Sequence, residues 1–268
     1  HLTSKFIEQP IRHKKIAGKK VYLFFVATTI TSLVAGLIIS ATSSSMITVK
    51  GTNYKFNLTQ VMEKPAVYGD DCHVNYGETK SGYCTYGKKN SDRTIVLYGD
   101  SHAAQWFPAL EQIALEKGYK LISLTKSACP AVDSPREDQG AFKNVHCEKW
   151  RENSIARIKS IHPEAVITSS FQYFTPPSGF NNKSSWWRDG QRRLLSELNG
   201  SSNHLIYISD TPRPLRDIPN CLASRDSHTC DSTQKTKNVI IDGFEKIDPT
   251  SWLCTSYCPA IQNGYVVY

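Results

Sequence analysis

Four residues, Gly99-Asp-Ser-His102, stand where an apolar run ends and a helical pattern begins, within Thr94-Ile-Val-Leu-Tyr-Gly-Asp-Ser-His-Ala-Ala-Gln-Trp106. A serine in that place can act as a nucleophile. Its hydroxyl then needs an imidazole within hydrogen-bond reach, usually backed by a carboxylate, and donors for the oxyanion that forms. The first turn of a helix supplies such donors, because its N–H groups are unpaired and point toward developing negative charge. Gly99 allows the tight turn, and Asp100 or Ser101 can cap the helix. The competing reading is an ordinary cap in a strand-to-helix loop. His102 adjoins the nucleophile, and since neighbours at a helix start diverge, it is expected to make a structural hydrogen bond.

The elements that must position this loop alternate along the chain. Strands are expected at Thr94–Tyr98, Lys120–Thr125, Ala165–Ser169 and His204–Ser209. Helices are expected at about Ala103–Lys117, closed by Gly118, Cys147–Ile161 and Trp187–Asn199. Short Val/Ile/Leu-rich runs between amphipathic helices indicate βαβ units and a mainly parallel sheet, so Gly99–His102 falls at the carboxyl end of a strand, where sites form. Residues 52–90 read as a loop-rich lead-in. Asn238–Thr250 and the terminal Gly264–Tyr268 read as further core elements, the last a strand.

Upstream, Val21–Val49 holds no charge, and Val21–Ile39 is long enough for a bilayer core, which needs about 20 apolar residues. We read 21–42 as a transmembrane helix, in preference to a signal peptide, since no small-residue cleavage site is evident. Lys5, Arg12, Lys14, Lys15, Lys19 and Lys20 precede it, which puts the N-terminus in the cytoplasm and the remainder outside. Those six, against Glu8 alone, leave residues 1–20 at net +5 of the chain's +8, so only +3 belongs to the remaining 248 residues. A nucleic-acid partner therefore has little support. All eight cysteines follow the apolar run, as expected for an exported, disulfide-bonded domain. Sequence proximity suggests Cys72–Cys84, Cys129–Cys147, Cys221–Cys230 and Cys254–Cys258, although spacing alone leaves connectivity open. A zinc site is disfavoured: only Cys254 and Cys258 are closely spaced, and no second tight pair or nearby histidine completes a tetrahedron.

These residues carry a resemblance. Tyr98-Gly-Asp-Ser-His102 after an apolar strand resembles the first block of SGNH (GDSL-like) hydrolases. With Trp106, Lys126-Ser-Ala-Cys-Pro130, Asp248-Pro-Thr-Ser-Trp-Leu-Cys254 and Cys258-Pro259, the chain is similar to the C-terminal SGNH domain fused to membrane acyltransferase-3 proteins. Phe6-Ile-Glu-Gln-Pro-Ile-Arg12 resembles the end of that acyltransferase domain. The resemblance implies a three-layer α/β/α sandwich at 93–268, preceded by a linker and lead-in at 43–92, the membrane helix, and at 1–20 the cytoplasmic end of the acyltransferase domain. It implies O-acylation, most often O-acetylation, of an envelope polysaccharide such as lipopolysaccharide O-antigen. The acyltransferase-3 domain in cis would bring the acyl group from cytoplasmic acyl-CoA, with no cofactor bound by the SGNH domain itself, and Ser101 would carry it as an acyl-serine.

The match to the family is uneven. Ser101 maps to the nucleophile and its own N–H to one oxyanion donor, while the glycine and asparagine blocks that complete the oxyanion hole have no clear counterpart. Thr168-Ser-Ser-Phe171, with Ser169, is the expected substitute, beside Asp100 and Ser101. The family's catalytic Asp-x-x-His should follow Gly264–Tyr268, which implies a chain that is a fragment open at both ends and inactive alone. Two look-alikes, Asp70-Asp-Cys-His73 and Asp226-Ser-His228, lie in the wrong place or have the wrong spacing. Trp186-Trp187 with Tyr173 and Phe174 could stack on a sugar, although aromatic clusters more often pack. His146, His162 and His204 read as surface or helix-end residues, and Asn57-Leu-Thr59 as an unused glycosylation acceptor. An exported esterase or deacetylase on the same scaffold, and a glycan-binding domain without turnover, compete with the transferase; the fold alone does not separate them.

Overall fold

A computed structural model describes residues 18–42, 46–49, 52–57, 61–180, 182–232, 239–263 and 265–266. The segment Phe6–Arg12, the basic residues from Lys5 to Lys15, Thr59 of the Asn57 acceptor, and Gly264 and Tyr268 lie outside them.

Helix α1 (Gly18–Thr42) forms where the apolar run is, with Tyr22, Leu23, Phe25, Leu33 and Leu37 exposed. Among the described residues no helix is long and apolar enough to cross a membrane. A hairpin of β1 (Met46–Thr48) and β2 (Lys55–Asn57) follows, then the short α2 (Ala66–Gly69). The main sheet has seven strands: β3 (His73–Val74), β4 (Thr85–Gly87), β5 (Thr94–Gly99), β6 (Lys120–Lys126), β7 (Ala165–Ser169), β8 (His204–Ile208) and β9 (Glu245–Ile247). Their order is β3-β6-β5-β7-β8-β9, with β4 sharing the β6 edge; only β4 is antiparallel. The lead-in thus contributes two strands to the sheet. Both are too short to show an alternating pattern in the sequence.

Helices α3 (Ser101–Ala104), α4 (Phe107–Lys117), α5 (Asn144–Ile161) and α6 (Lys183–Leu198) cover the sheet. Side chains alternate across β5: Ile95 and Leu97 join Ala103, Phe107, Leu110 and Ala114 on one face, while Val96 and Tyr98 join Trp150, Ile158, Trp186 and Leu194 on the other. The result is an α/β/α sandwich whose central strands are buried on both faces, as a parallel sheet requires.

One expected helix, Ala103–Lys117, is two. Pro108 sits in the first turn of α4, and its missing N–H and ring stop the ladder from α3 running through. Gly118 then closes α4 in a left-handed conformation, φ 76°. Helix α6 starts at Lys183, before Trp187, because Asn182 caps it with bonds from the N–H groups of Ser184 and Ser185.

All eight cysteines pair as sequence proximity suggests: Cys72–Cys84, Cys129–Cys147, Cys221–Cys230 and Cys254–Cys258. A third, smaller core joins the β1–β2 hairpin (Val49, Phe56) to α7 (Ile218–Ser224), the Cys221–Cys230 bridge and Ala260. The C-terminal β10 (Ile261–Gln262) and β11 (Tyr265–Val266) pair only with each other. The expected terminal core strand is therefore a separate ladder off the main sheet.

Candidate functional site

Within the sheet, β6 lies on one side of β5 and β7 on the other, so the connections leaving β5 and β7 diverge in opposite directions. A crevice opens at such a switch point, outside the carboxyl ends of the strands. The loop after β5 carries Asp100, Ser101 and His102; the loop after β7 carries Ser170, Phe171 and Gln172; and Asp210 follows β8.

Ser101 is exposed at the start of α3. Its turn depends on Gly99, whose φ is +153° and where an added Cβ would lie 2.2 Å from the Ser169 carbonyl oxygen and 2.8 Å from Ala103 Cβ. Asp100 is fully buried. Its Oδ1 accepts the His102 N–H at 2.8 Å, capping α3, and its Oδ2 accepts the Phe171 N–H at 2.9 Å. One carboxylate thus clamps the Ser101 loop to the neighbouring strand end. Burial raises the Asp100 pKa to about 6, against the pull of His102 and the two N–H donors. The Ser101 N–H has no acceptor among the described residues and is open to an oxyanion.

His102 makes the expected hydrogen bond, and its partner was not among the residues singled out by the sequence. Its Nδ1 donates to Asp210 Oδ1 at 2.5 Å, while Asp210 Oδ2 accepts the Gln172 N–H at 2.9 Å. Asp210 is fully buried and the imidazole is 28% exposed. Burial works against the imidazolium, but the hydrogen bond and charge of Asp210, helped by Asp100, outweigh it and raise the His102 pKa. With Nδ1 held by a carboxylate, the proton-exchanging atom of the neutral ring is Nε2, which has no protein partner among the described residues. No hydrogen bond joins His102 to the Ser101 hydroxyl there either. The signal for Asp210 lies in Ile206-Tyr-Ile-Ser-Asp210: the expected strand ended at Ser209, one residue short of the acid at its carboxyl end.

Thr168–Phe171 does not supply the missing oxyanion donors. The N–H groups of Phe171 and Gln172 are taken up by Asp100 and Asp210. Ser170 Oγ accepts the Ala131 N–H, and Ser169 is fully buried beneath Gly99. Residues 168–170 are buried and fix the loops rather than facing a substrate.

The aromatic cluster divides in two. Trp186 and Trp187 are 1% and 2% exposed and belong to the core. Phe171, Tyr173 and Phe174 are half-buried and form a wall beside His102: the Phe171 ring lies 4.8 Å from the His102 ring, 5.5 Å from Tyr173 and 5.0 Å from Phe174. Arg136 stacks over Phe174 at 3.6 Å, and Arg213 lies 5.2 Å from the Tyr173 centroid.

The other histidines lie apart from Ser101 in role. His73 is buried, bonded through Nδ1 to Thr125 Oγ1 and through Nε2 to Ser127 Oγ, both at 3.1 Å. His228 faces Asp231, and the His228 N–H is capped by Asp226. His162 ends α5, and His204 pairs with Glu245 on the surface. Among the described residues no cluster of three or more His, Cys, Asp or Glu could hold a metal.

A family model described as the SGNH domain fused to AT3 domains matches residues 71–268. A search of curated proteins found no match. Among solved structures, the chain is similar to the periplasmic domain of a lipopolysaccharide acetyltransferase of Salmonella ser. Paratyphi A, at 18% identity and a TM-score of 0.49, over 74% of this chain and 77% of that one.

Proposed function

The chain belongs to the family of SGNH domains fused to AT3 domains, and from that premise we propose that it O-acylates, most often O-acetylates, an envelope glycan such as lipopolysaccharide O-antigen through an acyl-serine at Ser101. The observation that carries this reading is the placement of an exposed Ser101 at the switch point, on a loop locked by Asp100 to the end of β7, with its own N–H open.

In this reading the Ser101 hydroxyl attacks the acyl carbonyl, the oxyanion is met by the Ser101 N–H, and the donor's leaving group departs with a proton. A sugar hydroxyl then attacks the acyl-serine, releasing the ester and restoring the serine. In this reading the base for both steps is the histidine of the family's Asp-x-x-His. The acyl group is supplied ultimately by acyl-CoA through an AT3 domain in cis. The exposed apolar side chains of α1 and the basic residues ahead of it fit a membrane anchor with the N-terminus in the cytoplasm. Four disulfides fit an extracytoplasmic, periplasmic site for the rest.

One observation favours a second reading, an exported esterase: Ser101 is exposed, and an acyl-serine open to water can hydrolyse. Fusion to an AT3 domain favours transfer.

The test is acetate-ester turnover by the chain carried on through its downstream coding sequence, with and without an acceptor oligosaccharide. Formation of an acetyl-enzyme that disappears in Ser101→Ala, and acetylated sugar in excess over free acetate, support transfer. Equal turnover in Ser101→Ala overturns the nucleophile assignment.

A further inference from the structure

Two cations stand over the aromatic wall near His102, without a counter-ion among the described residues. Arg213 lies 5.2 Å from the Tyr173 ring centroid and 5.8 Å from that of Phe171; Lys183 Nζ lies 5.5 Å from the same Tyr173 ring. Both residues are exposed. Neither forms an ion pair among the described residues, although ten such pairs occur elsewhere. The remaining residues contain a single acid, Glu8, in the segment ahead of α1.

The neighbouring acids are committed. Asp100 and Asp210 are fully buried, each holding two groups. Asp217 caps α7, and Glu137 is held by Ser178. Arg213 and Lys183 meanwhile repel one another: burial and the charge of Arg213 both lower the Lys183 pKa, and Arg213 also opposes the charge on His102. A guanidinium or ammonium over a half-exposed ring gains little from the ring alone. Two like charges gathered over one ring are costly unless an anion joins them.

The wall has a shape as well as a charge. Phe171 touches the His102 ring, so the Arg213–Tyr173–Lys183 group is one aromatic ring removed from the nucleophile loop. Half-buried Phe171 and Tyr173 offer flat apolar faces of the kind on which a sugar ring lies, with the cations at their edge.

We propose that Arg213 and Lys183 bind the carboxylate or phosphate of an acidic saccharide, so that the acceptor glycan of this site is anionic and its sugar ring lies on Phe171 and Tyr173. This rests on the acyl-serine reading for the word acceptor; the binding itself does not require turnover. Arg213 takes the oxyanion through paired N–H groups, and Lys183 contributes a mobile point charge.

The experiment measures binding by calorimetry on the full chain in detergent micelles, in the Ser101→Ala background so that turnover plays no part. The probes are trigalacturonate, a phosphorylated sugar (glucose 6-phosphate) and neutral maltotriose. Trigalacturonate or glucose 6-phosphate is expected to bind roughly tenfold or more tightly than maltotriose, the weight of one charge-assisted hydrogen bond. Which of the two prevails tells carboxylate from phosphate. The Arg213→Gln, Lys183→Gln double variant should lose that preference. Arg213→Lys should keep part of it, which guards against a folding defect. Lys88→Gln with Lys89→Gln removes two exposed charges at the end of β4 and should leave it intact. Equal binding of acidic and neutral probes, or equal loss in the Lys88/Lys89 variant, overturns the proposal. Loss of acetyl transfer in Ser101→Ala is scored separately and bears only on the acyl-serine reading.

Discussion

Two histidines near strand ends, His73 buried and His102 partly exposed, show how surroundings shift one and the same side chain in opposite directions. His73 at β3 is bonded on both ring nitrogens to neutral hydroxyls, those of Thr125 and Ser127. Beside it, fully buried Lys126 donates to the carbonyls of Asn75, Tyr76 and Glu78. Every partner there is neutral, so burial, together with the charges of Lys64 and Lys126, lowers the His73 pKa to about 4, and burial lowers that of Lys126 to about 8. His102 meets a carboxylate on one nitrogen and keeps the other open, with its pKa raised despite burial. The charge of the partner and a spare ring nitrogen separate the two. Asp-x-His-like spacing does not: His73 lies in Asp70-Asp-Cys-His73, whereas the acid that serves His102 is 108 residues away.

The largest expected effect separates the clusters by activity. In the chain carried on through its downstream coding sequence, Ser101→Ala should lower ester turnover by roughly 10⁶-fold, as for the serine of a serine protease, with an unchanged thermal midpoint because the side chain is exposed. His73→Ala should leave turnover per folded molecule intact. A comparable loss of turnover from both would dissolve the distinction.

Next comes the turn that presents the serine. Gly99→Ala drives a methyl against the Ser169 carbonyl at 2.2 Å and should cost about 2–4 kcal/mol. Gly118→Ala, at φ +76° but in open space, should cost only about 1 kcal/mol. Urea unfolding of both variants measures the gap, and equal costs would mean that the strand ends part freely at the site.

At the His73 cluster, His73→Ala takes a partner from the buried Thr125 hydroxyl and from the half-buried Ser127 hydroxyl and should cost about 1–3 kcal/mol in the same unfolding assay.

The smallest effects carry the sharpest contrast, because the two rings should tilt stability in opposite directions with pH. A raised folded pKa means that the folded state holds the His102 proton longer, so its contribution is complete below about 6.5 and is lost as pH rises through the folded value. A lowered one means that the unfolded chain takes up the His73 proton first, so stability falls as pH drops from about 6.5 toward 4. Difference curves against wild type should therefore show His102→Gln flattening the alkaline limb and His73→Gln the acid limb. In Asp210→Asn the His102 titration, followed by NMR, should move below 6.5, since burial and Arg213 are then opposed only by Asp100. A His102 midpoint that stays put in Asp210→Asn would remove Asp210 from the account.

Much of this arrangement could be read along the chain. The Thr94–Gly99 strand, the turn and the helix after it follow from local pattern, and so do the four disulfides, whose partners are near in sequence. The split between α3 and α4 was legible too, had Pro108 been weighed against the apolar period. Strands β3 and β4 were not: two or three residues carry no period, and they are strands only because the edge of β6 pairs with them. The burial of Trp186 and Trp187, against the exposure of Tyr173, could not be read from composition, since both groups are aromatic and lie within 15 residues of each other.

What the sequence determined by itself is local: a serine at the end of an apolar strand, a glycine to turn it, an acid to cap the helix, and cysteines spaced to close on their neighbours. What only the tertiary structure decided is which distant groups meet there. Asp210 reaches His102, Asp100 reaches Phe171, and Arg213 and Lys183 share one ring, because parallel strands joined by crossovers bring carboxyl ends together that lie far apart along the chain. Local periodicity records which face a side chain takes; it does not record which strand end lies beside it.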